Sequence, residues 1–143
     1  MRIYLACTVR GERGGVAAAR AICTRLEEHG HVVLTSHLLR DDVEAAESQL
    51  TEQQVFRRDL EWLSTCDMLV AEASGSSYGV GFEVGYMLGR RRHGQRVLLL
   101  FDEARRPLVS RLVTGNCDDA CTTVGYASVA DLPALIDAHI GPA

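Results

Sequence analysis

The chain has 143 residues, 47% of them apolar, with 15 basic and 19 acidic side chains and a formal net charge of −4. All 15 basic residues are arginine, and the lack of lysine excludes Schiff-base catalysis, a P-loop lysine and the lysine of a phospho-receiver pocket, although the composition itself is what a GC-rich genome writes. Weak acidity, with no basic run longer than Arg90 to Arg92, speaks against a polynucleotide partner, and the length suits one domain that hides roughly two thirds of its unfolded surface.

Ile3 to Val9 is a nearly continuous apolar run and reads as a buried strand. The stretch before Arg10, Glu12 and Arg13 is too short for a signal peptide or a membrane span, so no membrane contact and a cytoplasmic location are expected. Gly11, Gly14 and Gly15 form a loop. Val16, Ala19, Ile22, Cys23 and Leu26 then recur at helical spacing within Val16 to His29. Gly30 stops that helix, and His31 to Thr35 reads as a second strand. Ser36 to Leu50 is polar and is expected to be a mobile connection. Thr51 with Gln54 makes a capping-box start for a helix reaching about Cys66. Asp67 to Ala73 is a third buried strand, Gly79 to Arg92 a glycine-rich helix, Gln95 to Phe101 a fourth strand, Cys121 to Tyr126 a fifth, and Ser128 to Ile140 a closing helix. No repeat or linker interrupts the series, so residues 1–143 are expected to form a single domain.

Strands and helices that alternate in this way predict a parallel sheet covered on both faces, since right-handed crossovers leave few other topologies. The expected fold is a flavodoxin-like or Rossmann-like three-layer α/β sandwich with five strands in the order 2-1-3-4-5. Ligands of such sheets sit outside the carboxyl ends of the strands where the order reverses, which places Thr8 to Gly15 and Ser74 to Gly81 around the site.

Five cysteines without a C-x-x-C pair indicate neither a disulfide framework nor a zinc site. Cys117 and Cys121 could join a histidine, but a zinc knuckle normally shows its other ligands at short range. Buried thiols, no metal and no cofactor are expected.

Two carboxylates lie on apolar stripes. Glu83 falls among Val80, Val84 and Met87 near the start of its helix, where a carboxylate is either buried with a partner or functional. Gly81, Gly85 and Gly89 share one face of the same helix at a cost of about 1 kcal/mol each, which asks for the close approach of a backbone or a ligand. Asp59 shares a stripe with Val55, Trp62 and Cys66, while Glu61 points elsewhere; a salt bridge to Arg57, Arg58 or another arginine is the competing reading of Asp59. Two acids converging on one cleft form the arrangement that glycosidic-bond cleavage uses. A dinucleotide site is the rival, because Gly79-x-Gly81 opens a helix with Asp102 some 20 residues on. It fails in detail: Val84 takes the place of the third glycine, the motif follows the third strand, and Glu83 would face a pyrophosphate.

Ile3-Tyr4-Leu5-Ala6-Cys7-Thr8-Val9-Arg10-Gly11, Asp59-Leu60-Glu61-Trp62-Leu63 and Ser77-Tyr78-Gly79-Val80-Gly81-Phe82-Glu83-Val84-Gly85 together resemble the 2′-deoxynucleoside 5′-phosphate N-hydrolases, a branch of the nucleoside 2-deoxyribosyltransferase superfamily. The likeness runs from about residue 2 to residue 126. It implies a nucleoside 2-deoxyribosyltransferase-like domain that cleaves the N-glycosidic bond of deoxynucleoside monophosphates. Glu83 would be the nucleophile at C1′, and Asp59 would bind and help protonate the departing base. Tyr4 would orient Glu83 and press on the sugar where a 2′-hydroxyl would sit; relatives that cleave ribonucleotides such as CMP tend to carry phenylalanine there.

The resemblance also implies that Arg10, Gly11, Ser77 and Gly79 hold the phosphate end. Ser110 would reach it from a second copy of the chain, making a homodimer. His37 would line the pocket. Read singly, Tyr4 could be an ordinary strand aromatic, the serines caps, Arg10 a solvated side chain and His37 incidental. Cys7 stands where the family more often has glycine, and base preference is expected to be set around Asp41 to Leu50. The alternatives are a CMP-type N-glycosidase, a nucleoside 2-deoxyribosyltransferase that passes the sugar to another base, and, from another class, a non-catalytic nucleotide-binding module.

Overall fold

In the computed structural model, which describes residues 1–8 and 13–143, five strands hydrogen-bond in the order β2-β1-β3-β4-β5. These are β1 (Arg2–Ala6), β2 (Val32–Val33), β3 (Met68–Glu72), β4 (Arg96–Asp102) and β5 (Cys121–Tyr126), and every neighbouring pair is parallel. The α-helices are α1 (Val16–Glu28), α2 (Val43–Glu47), α3 (Glu52–Thr65), α4 (Tyr78–Arg90), α5 (Arg111–Thr114) and α6 (Leu132–His139). The expected class and strand order are therefore both present.

Side chains of a strand alternate between the two faces of the sheet, and here both faces are covered. Ile3 and Leu5 of β1 join α1 and α6 through Ile22, Leu26, Leu132 and Ile136. Tyr4 and Ala6 face the other way, among Leu63 of α3 and Val80, Val84 and Met87 of α4. That alternation matters for function, because it turns the one polar aromatic of β1 toward the two helices that carry the candidate acids. The reversal of strand order between β1 and β3 opens a crevice at their carboxyl ends, on the side of α3 and α4.

Local chemistry explains the helix starts. Thr51 accepts a hydrogen bond from the Gln54 N–H at 3.2 Å while the Thr51 N–H donates to Gln54 Oε1 at 2.8 Å, the capping box read from the sequence. At α4, the Ser77 hydroxyl accepts from the Val80 N–H at 3.3 Å.

The structure departs from expectation in three places. The segment Ser36 to Leu50, expected to be mobile, holds a tight turn at Ser36–Leu39 and then α2. Leu38, Leu39 and Val43 anchor it, Val43 with no exposed surface. The second strand is shorter than expected because a side chain takes over its pairing: Thr35 Oγ1 accepts from the Leu5 N–H at 3.0 Å and donates to the Leu5 carbonyl at 2.7 Å. The glycine face of α4 is open among the described residues, since a Cβ at Gly81, Gly85 or Gly89 would meet none of them within 4 Å. Cys7, Cys23 and Cys66 are buried thiols, as expected, whereas Cys117 is exposed and Cys121 intermediate. Among the described residues no helix is long and apolar enough to cross a membrane, and no group of three potential ligands is placed to hold a metal ion.

Candidate active site

A cavity of about 710 Å³ opens between α3 and α4, within the size range of small-molecule sites. Asp59 of α3 and Glu83 of α4 both line it, together with Ser77 and Gly79 at the start of α4. Leu38, Leu50, Val55, Phe56 and Phe82 give it apolar walls. Two carboxylates from different helices thus meet in one largely apolar space, where charge is poorly screened.

Tyr4 donates its phenolic hydrogen to Glu83 Oε1 at 2.6 Å. Burial lifts the Glu83 carboxyl, the Tyr4 hydrogen bond pulls it back, and the negative charge of Asp59 raises it again, leaving it at about 7. The phenol shifts the same way: burial, then the charges of Glu83 and Asp59, push its pKa well above the ordinary value. Tyr4 is therefore a fixed donor at neutral pH, and Glu83 a carboxylate poised to change charge there.

Asp59 satisfies both readings offered for it. It lines the cavity and accepts from Arg58 Nε at 2.8 Å. Arg58 reaches further, donating from Nη1 to Glu47 Oε1 at 2.8 Å, with its guanidinium 4.8 Å above the centre of the Trp62 ring. Glu47 and Arg58 also line the cavity, so the acid pair belongs to a chain running Glu47, Arg58, Asp59 and on toward Glu83. Burial alone would raise the Glu47 carboxyl, but the hydrogen bonds and charge of Arg58 and then His37 outweigh it and hold it below the ordinary range.

The remaining expected residues fall in different places. Ser77 and Gly79 sit at the start of a helix whose first N–H groups lack carbonyl partners, an arrangement suited to an anion. Tyr4 stands behind Glu83, and Cys7 is part of the cavity wall. His37 does not line the cavity; it hydrogen-bonds Glu47 Oε1 at 3.3 Å and meets the Trp62 ring edge-on at 5.6 Å. Ser110 caps α5, accepting from the Leu112 N–H at 3.3 Å, and lies on the exposed surface away from this cavity. Its neighbours Leu108 and Leu112 are 75% and 86% exposed. Arg10 and Gly11 lie outside the described residues.

Two features escaped the sequence reading. Glu47 sits in the stretch expected to set base preference but was not itself singled out, although Val43 and Glu47 are one helical turn apart. Glu72, at the end of β3, is only 1% exposed. Its Oε1 accepts from Tyr126 Oη at 2.9 Å, from the Ser74 N–H at 3.2 Å and from the Ser74 hydroxyl, while Oε2 lies against Gly15 before α1. Burial raises this carboxyl, and the Ser74 and Tyr126 hydrogen bonds oppose the rise. It ties the β3–α4 loop to β5 and to the start of α1.

Comparison with known proteins identifies the kin of this chain. The family model described as nucleoside 2-deoxyribosyltransferase matches residues 3–128. A protein of Thermofilum pendens, provisionally named 2′-deoxynucleoside 5′-phosphate N-hydrolase 1, is 38% identical over 98% of this chain and 95% of its own. The 5-hydroxymethyl-dUMP N-hydrolase of Esox lucius is 34% identical over 82% of this chain and 81% of its own. Among solved structures, the CMP N-glycosidase BcmB of Clostridium botulinum superposes with a TM-score of 0.71 at 18% identity, covering 98% of this chain and 100% of that one. At that identity the superposition speaks for the shared fold alone.

Proposed function

Because the chain belongs to the nucleoside 2-deoxyribosyltransferase family, we propose that it is an N-glycosidase that hydrolyses 2′-deoxynucleoside 5′-monophosphates to a free nucleobase and 2-deoxyribose 5-phosphate. The observation that carries the proposal is the Tyr4–Glu83 hydrogen bond of 2.6 Å at the wall of a cavity that Asp59 shares. Relatives whose names denote N-hydrolases of deoxynucleoside 5′-phosphates support the same substrate class.

In this reading an ionised Glu83 oxygen attacks C1′ while the C1′–N bond breaks. The bonding pair passes to the base nitrogen, which is protonated through Asp59, the carboxylate taking a proton from solvent and handing it on. Water then attacks C1′ of the glycosyl-enzyme and gives up a proton through Asp59 to solvent, and the Glu83 carboxylate departs with the pair of the C1′–O bond. Tyr4, held against Glu83 from behind, keeps the nucleophile oriented and, through Glu83, narrows the space at the 2′ position, favouring deoxyribose over ribose. Ser77, Gly79 and the N–H groups that open α4 hold the 5′-phosphate, with Arg10 and Gly11, which follow β1 in the sequence. His37 acts at one remove, steadying Glu47.

Ser110 completes the phosphate site from a second copy of the chain, in a homodimer. Its position outside its own cavity supports that role, as do the exposed Leu108 and Leu112 beside it and the open glycine face of α4 with Tyr78 fully exposed. Light scattering in solution should give twice the mass of the chain.

The deciding experiment is base release from dGMP, dCMP, CMP and unphosphorylated deoxyguanosine, followed by liquid chromatography. Release confined to the two deoxynucleotides is expected. Preference for CMP would make the enzyme a ribonucleotide glycosidase. Reaction only with the nucleoside in the presence of a second base would make it a transferase. Tight binding with no release over hours would make it a binding module.

A further inference from the structure

We infer that Glu47 reads the edge of the nucleobase by accepting a hydrogen bond from an exocyclic amine, so that amino-bearing bases are cleaved in preference to those presenting a carbonyl there. The inference rests on the deoxynucleotide reading above and adds to it the residue that sets base preference.

Arg58 Nε bonds Asp59 Oδ1 at 2.8 Å and Arg58 Nη1 bonds Glu47 Oε1 at 2.8 Å, so the two carboxylates are one guanidinium apart. If Asp59 meets the nitrogen that leaves C1′, the far edge of a flat heterocycle points along that guanidinium toward Glu47. All three side chains line the same cavity, between the apolar walls of Leu38, Leu50 and Phe56.

Glu47 also has unused hydrogen-bonding capacity. A carboxylate offers about four lone-pair sites across its two oxygens. Oε1 of Glu47 takes the short bond from Arg58 and the 3.3 Å contact with His37. Among the described residues, Oε2 has only a long contact of 3.4 Å with Arg58 Nη2. The side chain is 11% exposed, so a further donor for Oε2 would come from whatever fills the cavity. Arg58 keeps spare N–H groups beside it, since among the described residues only one of the two on each terminal nitrogen is engaged.

Chemistry then selects the partner. A carboxylate held as an anion accepts and cannot donate, and acidic side chains pair with the cytosine 4-amino group in just this way. Cytosine presents that amine next to its N3 acceptor, matching Glu47 and Arg58 side by side. Uracil and thymine present an N–H flanked on each side by a carbonyl, so an approaching carboxylate meets two sets of lone pairs. A site built to hydrogen-bond one group discriminates strongly against an analogue that leaves its own polar atoms unpaired.

The test compares dCMP with dUMP, which differ at position 4, and dAMP with dIMP, which differ in the same sense at position 6. In the wild type, kcat/KM should favour the amino partner of at least the pyrimidine pair by roughly tenfold or more. Glu47→Gln should bring that ratio close to one, because an amide can present either its oxygen or its NH₂. Equal or faster cleavage of dUMP by the wild type would overturn the inference, as would an unchanged ratio in a Glu47→Gln protein that melts cooperatively. Should Glu47→Gln fail to fold, the wild-type ratios decide by themselves. Failure to release base from any mononucleotide would instead remove the hydrolase reading, and this inference with it.

Discussion

Tyr4 and Glu83 stand 79 residues apart in the chain and 2.6 Å apart in space, phenol to carboxylate oxygen. One comes from the first strand and the other from the helix after the third, so the contact exists only once β1 and β3 have paired and α4 has docked over them. It joins the fold to the chemistry, because the hydrogen bond favours the charged form of the group that must attack.

Replacing Tyr4 by phenylalanine should therefore raise the Glu83 carboxyl further above about 7. A hydrogen bond to a charged group is worth enough to move it by about one pH unit. The acidic limb of the kcat/KM profile should shift to higher pH by that amount, since this profile reports the free enzyme. A limb that stays in place would show that Tyr4 does not tune the carboxylate.

The same residue makes stability depend on pH. Glu83 in the unfolded chain loses its proton near its ordinary value of 4.5, whereas in the folded chain it keeps it up to about 7. Between those values the folded state binds the extra proton, so its contribution to stability falls as pH rises and is flat above the upper limit. Glu83→Gln removes that slope. Urea unfolding at pH 5 and pH 8 should show the variant gaining on the wild type at the higher pH.

Two glycines that look alike should respond differently to alanine. At Gly15 the new methyl would overlap Glu72 Oε2, and Glu72 is pinned by Tyr126 and Ser74 with 1% exposure. At Gly125 it would overlap Glu103 Oε1, but Glu103 is an exposed side chain paired with an exposed Arg106 and can swing aside. Gly15→Ala should cost about 1–3 kcal/mol by overpacking, and Gly125→Ala no more than about 0.5 kcal/mol. Denaturant titrations give both numbers.

Ser77→Ala should separate phosphate binding from chemistry. Loss of one hydroxyl beside a charged phosphate should raise KM for deoxynucleoside monophosphates about tenfold with little change in kcat. An equal loss for phosphorylated and unphosphorylated substrates would place Ser77 in a purely structural role as the cap of α4.

Much of the fold was legible because its signals are local. The Thr51–Gln54 capping box, the uninterrupted run Leu98 to Leu100 and the stop at Gly30 each specify a boundary without help from distant residues. Glu83 and Asp59 could be picked out because a charge on an apolar stripe needs a reason. Their pairing with Tyr4 was less visible: β1 is buried on both faces, so nothing in its own pattern shows which way Tyr4 turns. Glu47 was hidden for another reason. Leu38, Leu39 and Val43 anchor its segment, but a tight turn gives way to a short helix between them, so these three apolar residues do not mark one continuous element. The Thr35 hydroxyl that shortens β2 is likewise a tertiary event, a side chain pairing with the backbone of Leu5.

Base release from a 2′-deoxynucleoside 5′-monophosphate by wild type and Glu83→Ala, measured side by side by liquid chromatography, tests the central claim most directly. The wild type should liberate free base and 2-deoxyribose 5-phosphate, and Glu83→Ala should lose at least about a thousandfold in kcat, as expected when a nucleophile is removed. Unchanged release by Glu83→Ala would contradict the assignment of Glu83 and with it the proposed reaction course.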